Sequence, residues 1–351
     1  MKAALPEHAR LLIRVPNWLG DLVMAEPVLR AADERGGATL VGPPRLLALF
    51  DGKLLNCDRL YADEPRGWRG HDAALLLTGS LRSALIAARA QIPVRAGLAR
   101  DARGWLLTHS MRPAREAGRV PLSLGVHGRG ARWLPRPFAS VCVELASLVG
   151  LEVSSRRPRL LPSWPAREAV RLRLESQGLA SERAFVAVNV GSRPHSAKGA
   201  TPQLWSALLA SFARQSDLPL VLVSGPGEDQ ALASVKARGL PASAIVLPGA
   251  PLDLPELCAL FSLANLVVSA DNGPRHVAAA AGTPVVVLCG PTDPRHTADH
   301  LQRVRILRAS EPCSPCHREV CPLSGSSNLV CFQHIDPDLV ARSMLELAQP
   351  L

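Results

Sequence analysis

Short apolar runs alternate with stretches of helical periodicity, and the pattern runs through the chain twice. In the first half, Leu11–Val15, Ala38–Gly42, Ala73–Thr78 and Val94–Gly97 are short, mostly apolar segments between helical or turn stretches. Runs of this length mark strands buried on both faces, as in a parallel sheet. Asp21–Glu34 and Leu81–Ala90 carry the spacing of amphipathic helices. Residues 98–136 lose the rhythm and gain Arg, Gly and Pro, which predicts long exposed loops before an apolar helix over Phe138–Val149. The stretch RRPRLLPSWPAR, residues 156–167, reads as a linker. Beyond it the alternation restarts. Phe185–Val190, Pro219–Ser224, Ala244–Gly249, Leu266–Ala270 and Thr283–Leu288 are expected strands, and Pro202–Arg214, Glu228–Arg238, Leu254–Ala264, His276–Ala281 and Pro337–Ala348 expected helices. The class is α/β: two tandem Rossmann-like domains, 1–160 and 161–351, with a cleft between them.

Composition narrows the picture. An apolar fraction of 47% over 351 residues supplies two real cores. No run approaches 18 apolar residues, so no membrane-spanning helix is expected. The start, MKAALPEHAR, is too short and polar for a signal peptide, and a cytoplasmic location is expected. The net charge of +10 is uneven: residues 1–165 hold 24 Lys and Arg against 14 Asp and Glu, and residues 166–351 hold 16 of each. Nine arginines fall between Arg95 and Arg136. They read either as a solvated face or as a surface for an anionic partner. Nucleic acid fits poorly, because aromatics are only 4% and no finger or RNP-like motif is present. Of eight cysteines, Cys57, Cys142, Cys258 and Cys289 lie among apolar neighbours and read as core fillers. Cys313, Cys316, Cys321 and Cys331 form C-x2-C-x4-C-x9-C. That cluster reads as a reduced structural loop, with a bound metal as the alternative.

Ligands of open α/β sheets bind beyond the carboxyl ends of the strands, so the loops there were searched for chemistry. Four stand out. In RVPNWLGDLVMAEP (14–27), Asp21 lies where a carboxylate could take a proton from a hydroxyl, or could simply cap a helix. In NVGSRPHSAKGATPQLW (189–205), Lys198 is one of only 4 lysines beside 36 arginines; with Ser192 and the Gly191 N–H it could hold a diphosphate, or be an ordinary surface lysine. In SGPGEDQ (224–230), Glu228 could accept from ribose hydroxyls or merely favour a helix dipole. In SADNGPRHVAAAAGTPVVVLCGPTDP, the residues Asp271, Asn272, Gly273 and His276 ring one strand mouth, with Thr292 and Asp293 at the next. There is no G-x-S-x-G, no Walker lysine loop and no D-x-D.

These four segments together resemble glycosyltransferase family 9, the ADP-heptose:lipopolysaccharide heptosyltransferases, over nearly the whole chain. The likeness rests on PNWLGDLVMAEPVLRA, GSRPHSAKGATPQLW, VSGPGED and ADNGPRHVAAAAGTPVVVLCGPTDP, the first of them nearest the heptosyltransferase II branch. The resemblance implies a GT-B fold and an inverting transfer of heptose from ADP-heptose, without a catalytic metal, to an anionic lipid A–core glycolipid at the inner leaflet. It implies Asp21 as base, and Lys198, Glu228, Asp271, Gly273 and His276 on the donor, with Gly191, Ser192 and Asn272 alongside. The acceptor is expected at Asn17, Trp18, Arg100, Arg103 and Arg112. The chain departs from the family in Lys198-Gly199-Ala200-Thr201-Pro202, commonly Lys-Arg-Trp-Pro, and in Asp271-Asn272-Gly273, commonly Asp-Thr-Gly. A protein-directed sugar transferase and a non-catalytic nucleotide-sugar binder are the alternatives.

Overall fold

The computed structural model describes residue 6 and residues 8–61, 63–100, 102–114, 134–180, 183–300 and 302–348. The chain divides into two compact units: Met1–Arg159 with Arg295–Asp299, and Leu160–Pro294 with His300–Leu351. The strands are β1 Leu11–Arg14, β2 Thr39–Val41, β3 Asp58–Leu60, β4 Ala73–Leu76, β5 Val94–Leu98, β6 His109–Met111, β7 Val186–Asn189, β8 Leu220–Val223, β9 Ala244–Val246, β10 Leu266–Ala270, β11 Val285–Leu288 and β12 Val304–Leu307. The helices are α1 Leu19–Glu34, α2 Pro44–Leu47, α3 Pro65–Trp68, α4 Leu81–Arg89, α5 Phe138–Ser147, α6 Trp164–Glu175, α7 Pro202–Ala213, α8 Asp229–Lys236, α9 Leu254–Leu263, α10 Gly273–Ala280, α11 Val330–Gln333 and α12 Pro337–Ala348.

Each unit holds one six-stranded sheet, ordered β3-β2-β1-β4-β5-β6 in the first and β12-β11-β10-β7-β8-β9 in the second. All pairings are parallel. In both, the first strand of the unit lies between its second and its fourth, so strand order reverses there. Loops leaving β1 and β4 diverge at that point in one unit, and loops leaving β7 and β10 in the other, which opens a crevice at the carboxyl edge. The central strands β1, β4, β7, β8, β10 and β11 are buried along their full length, as their mostly apolar sequences lead one to expect.

Three expectations change. The region 98–136 is not all loop, because β6 extends the first sheet at its edge; its sequence, His-Ser-Met, has no apolar run to announce it. The stretch 156–167 is not all linker, because α6 starts at Trp164, with Ser163 accepting from the Ala166 N–H as its cap. And α1 begins two residues before its expected start, so Trp18 is the cap position and Asp21 lies within the first helical turn.

Arg103 is also not the surface cation it was expected to be. It is fully buried, with Nε donating to the Leu98 carbonyl at 2.7 Å and Nη1 to the Ser80 carbonyl at 3.1 Å. It ties the turn after β5 to the turn before α4, and it cannot reach a bound acceptor. Arg103→Ala should therefore cost roughly 2–4 kcal/mol, since it removes charge-assisted bonds and strands buried carbonyls. Arg112→Ala, at an exposed position, should stay within about 0.5 kcal/mol. Urea titration of the two variants beside the parent measures the contrast.

Candidate functional site

In the first unit the loop Val15–Trp18 leaves β1 at the point of strand reversal and feeds directly into α1. A buried arginine braces it: Arg14 bonds Asn17 Oδ1 at 2.9 Å and Asp63 Oδ1 at 3.1 Å. Asn17 is therefore held in place by its neighbour, while Trp18 is 58% exposed. Asp21 is half-buried on the first turn of α1. Its charge helps push up the thiol of Cys142 on α5, after burial, which is the larger cause, so the carboxylate faces that helix. From the neighbouring β4, the turn at Gly79 has room for the Arg100 side chain: a Cβ on Gly79 would come within 3.1 Å of Arg100 Nε. Arg100 and Arg112 are exposed. Trp105, which sequence reasoning passed over, is 76% exposed in the same segment. Arg115, Arg119, Arg129 and Arg132 of the arginine-rich stretch lie outside the described residues.

In the second unit the equivalent reversal lies between β7 and β10, and the two loops are bonded to each other. Asn272 Nδ2 donates to the Gly191 carbonyl at 3.2 Å. Beneath them Asn189 Nδ2 donates to Ser269 Oγ at 3.1 Å, and that hydroxyl lies 3.0 Å from Asn272 Oδ1. Asn189 and Ser269 are register partners in the sheet and both buried. Sequence reasoning missed this pair, although a polar residue inside each of two apolar runs was the available signal.

Gly191 also admits Glu228. A Cβ at position 191 would lie 2.0 Å from Glu228 Oε2, so only glycine leaves the carboxylate its seat. Glu228 Oε2 accepts the Gly225 N–H at 2.9 Å. Burial raises its pKa above the usual 4.5, opposed by that bond and by the charge of Arg193. Gly199 plays the same part for Ser192, whose Oγ would lie 2.2 Å from a Cβ there. Lys198 is exposed, and α7 follows it with Thr201 as cap and Pro202 at its start. A cavity of about 1040 Å³ lies beside this wall, lined by Ser192, Arg193, Trp205 and Glu228 and, from the cysteine segment, by Cys321 and Leu329. Of the expected donor residues, Ser192 and Glu228 line it; Gly191, Lys198, Asp271, Asn272, Gly273 and His276 do not.

Asp271 is engaged internally. Its Oδ1 accepts from Nε of the fully buried Arg275 at 2.6 Å, and its Oδ2 takes the Thr292 hydroxyl. It joins α10 to the loop after β11. Helix α10 starts at Gly273, three residues before its expected start, and no side chain caps it. His276 is 5% exposed within that helix.

With both crevices described, the family model for glycosyltransferase family 9 (heptosyltransferase) matches residues 137–326, more than half of the chain. The chain belongs to glycosyltransferase family 9. It is 29% identical over 186 residues to lipopolysaccharide heptosyltransferase 3 of Escherichia coli, a match covering 50% of this chain and 54% of that relative. The alignment thus spans about half the relative's length. Among solved structures, ADP-heptose lps heptosyltransferase II of E. coli superposes with a TM-score of 0.68 at 19% identity, covering 97% of this chain and 98% of that one. The family 9 glycosyl transferase from Veillonella parvula superposes with a TM-score of 0.73 at 17% identity, covering 99% and 98%. The two parallel-sheet units are thus those of the GT-B fold.

The cysteines of this family 9 chain are free thiols. Cys142, Cys258 and Cys289 are core, as expected, and Cys57 is half-buried. Burial and the nearby Cys313, Cys316 and Cys321 push the Cys331 thiol up to about 11. Cys321 Sγ accepts the Leu329 N–H at 3.4 Å. Among the described residues no group of three or more His, Cys, Asp or Glu is arranged to hold a metal ion.

The raised pKa of Glu228 has a stability consequence. The folded carboxyl keeps its proton to higher pH than the unfolded one, so its contribution is complete below about pH 4.5 and is lost as pH rises through the folded value. Glu228→Gln keeps an acceptor for Gly225 and has no charge to bury. The variant should gain stability over the parent as pH rises from 4.5 to 8, and lose that advantage below 4.5. Thermal melts across that range test it.

Proposed function

We propose that this chain is an inverting glycosyltransferase that moves heptose from ADP-heptose to the inner core of a lipid A–linked oligosaccharide, in the manner of heptosyltransferase II. The supporting observation is membership of family 9 together with a carboxylate, Asp21, on the first turn of the helix that leaves the reversal point of its sheet. Asp21 takes the proton of the acceptor hydroxyl as that oxygen bonds the anomeric carbon. The bond from that carbon to the diphosphate breaks on the opposite face, and ADP departs. One base suffices for such a step.

Lys198, the Ser192 hydroxyl and the Gly191 N–H hold the diphosphate, and Glu228 accepts from the ribose. Gly273 and the uncapped start of α10 face the donor sugar with His276, while Asn272 fixes the Gly191 loop. Asp271 serves that loop through Arg275 and Thr292. No metal enters the step, and the cysteine loop remains reduced and structural; a metal held by Cys313, Cys316, Cys321 and Cys331 is what elemental analysis of purified protein would otherwise reveal. The first unit, with Asn17, Trp18, Arg100 and Arg112, receives the anionic glycolipid. No helix among the described residues is long and apolar enough to cross a membrane. The arginine-rich segment with exposed Trp105 therefore supports peripheral attachment to the cytoplasmic face of the inner membrane.

Turnover is measured as ADP release with Kdo2-lipid A, with and without a first heptose, reading products by mass. Transfer only to the heptosylated acceptor is expected. ADP binding without turnover would favour a different acceptor, including a protein, or a binder that performs no transfer. Asp21→Asn should lower kcat by at least about 100-fold and leave ADP affinity unchanged. The double variant Arg100→Ala/Arg112→Ala should raise the acceptor KM several-fold with the donor KM constant; a constant acceptor KM would remove these arginines from the site.

A further inference from the structure

Three loops leave the carboxyl edge of the second unit's sheet side by side, after β7, β10 and β11. Two junctions between them are closed directly. Asn272 ties the loop after β10 to the loop after β7 through the Gly191 carbonyl, and Asp271 ties it to the loop after β11 through Thr292. The outer two loops are not neighbours: β10 stands between β7 and β11, and two strand spacings amount to about 10 Å. The cysteine segment bridges that distance. At one end Ser314 Oγ donates to the Gly290 carbonyl at 2.7 Å, and the His317 N–H donates to the Pro291 carbonyl at 2.8 Å. Just beyond, the Glu319 carbonyl accepts the Ala197 N–H at 2.6 Å, and Glu319 Oε1 lies 3.3 Å from Arg193 Nη2. The segment is anchored from below as well. Phe332 of α11 packs against Gly290 so closely that a Cβ there would lie 2.3 Å from its aromatic carbon. All of these residues belong to the second unit.

The loop that carries Lys198 is folded on itself: the Ser196 N–H donates to the Arg193 carbonyl at 3.0 Å, and the Gly199 N–H to the Ser196 carbonyl at 3.2 Å. Lys198 is exposed, and an ammonium on a flexible four-carbon stem has no fixed position of its own. Its backbone is placed by what grips Ala197, which is 3% exposed and bonded to Glu319. We infer that the cysteine segment is a positioning strap for the donor's diphosphate: Ser314 and Glu319 tie the loop after β11 to the loop of Ser192 and Lys198, and so close a ring of three loops. This rests on the reading of Lys198 and Ser192 as the residues that hold the diphosphate. Loops fixed in this way need little ordering when the anion arrives, so the strap acts on donor affinity. The Arg193–Glu319 pair is solvent-exposed and adds little to stability.

The full chain is tested with ADP as the probe. Inserting Gly-Gly between His317 and Arg318 keeps every anchoring side chain and slackens only the span between the two loops. The Kd for ADP should weaken by about fivefold or more, and the Ala197 amide should exchange at least about fivefold faster. The Tm should move by no more than about 3 °C. Ser314→Ala should weaken ADP about threefold, and Ser314→Thr, which keeps the hydroxyl, should restore parental affinity. Should the insertion unfold the segment, this serine series decides. A segment that only props up the fold gives the reverse split, a lowered Tm with parental ADP affinity, and that result would overturn the strap. So would an affinity lost in Ser314→Ala that threonine does not restore. If the parent binds no ADP, the donor reading fails instead, and parental protection of Ala197 in the insertion variant then overturns the tie.

Discussion

The bond between Asn272 and the Gly191 carbonyl holds the second unit's crevice in shape. Two loops that leave strands β7 and β10 would otherwise diverge, because strand order reverses between them. The Asn189–Ser269 pair lies directly below, in register across the two strands. Buried polar groups are tolerable only when satisfied, so this short chain of amide and hydroxyl permits one arrangement of the two loops. Once Gly191 is fixed, its bare Cα gives Glu228 a seat against Gly225. Asp271, tied to Arg275 and Thr292, extends the same fixed geometry to the loop after β11. The second unit's crevice is thereby organised by neutral hydrogen bonds and one internal ion pair.

The first unit solves the same topological problem with arginine. Arg14 braces the loop after β1 through Asn17 and Asp63, and Arg103 ties the loop after β5 to the one after β4. Guanidinium suits this work because its planar donors reach several carbonyls at once and stay charged when buried. Part of the charge excess of residues 1–165 is therefore interior bracing. Arg100 and Arg112 are among the arginines that meet solvent.

Central strands were legible in the sequence because burial on both faces writes a mostly apolar run, and β10 and α12 begin and end where the pattern places them. Among the edge strands β9 was legible, but β3 and β6 were not, since they carry polar residues that meet solvent: β3 is Asp-Arg-Leu and β6 is His-Ser-Met. Helix starts were read late at α1 and α10 because Trp18 and Asn272 cap neither helix with a side chain. Glu228, Gly191 and Ser192 were legible as strand-end residues, and two of them line the cavity. The inward turn of Arg103 was not, because an arginine in a Gly- and Arg-rich stretch has no sequence signature separating brace from surface. The tie of Ala197 to Glu319 joins residues more than a hundred positions apart, beyond any local pattern.

The two units divide charge unequally. The second balances its acids and bases, so under the proposed function a diphosphate there would meet Lys198 and otherwise neutral N–H dipoles, whose hold is less screened by salt than that of a cationic surface. Glu228 sits in this setting as a carboxylate that burial penalises. A residue that costs stability where it stands is most simply retained for what it binds. The first unit holds the whole excess of positive charge, a field that under the proposed function would draw an anionic acceptor from a distance and would depend on ionic strength. Under the proposed function, donor selection by fixed geometry and acceptor capture by field fall to different units.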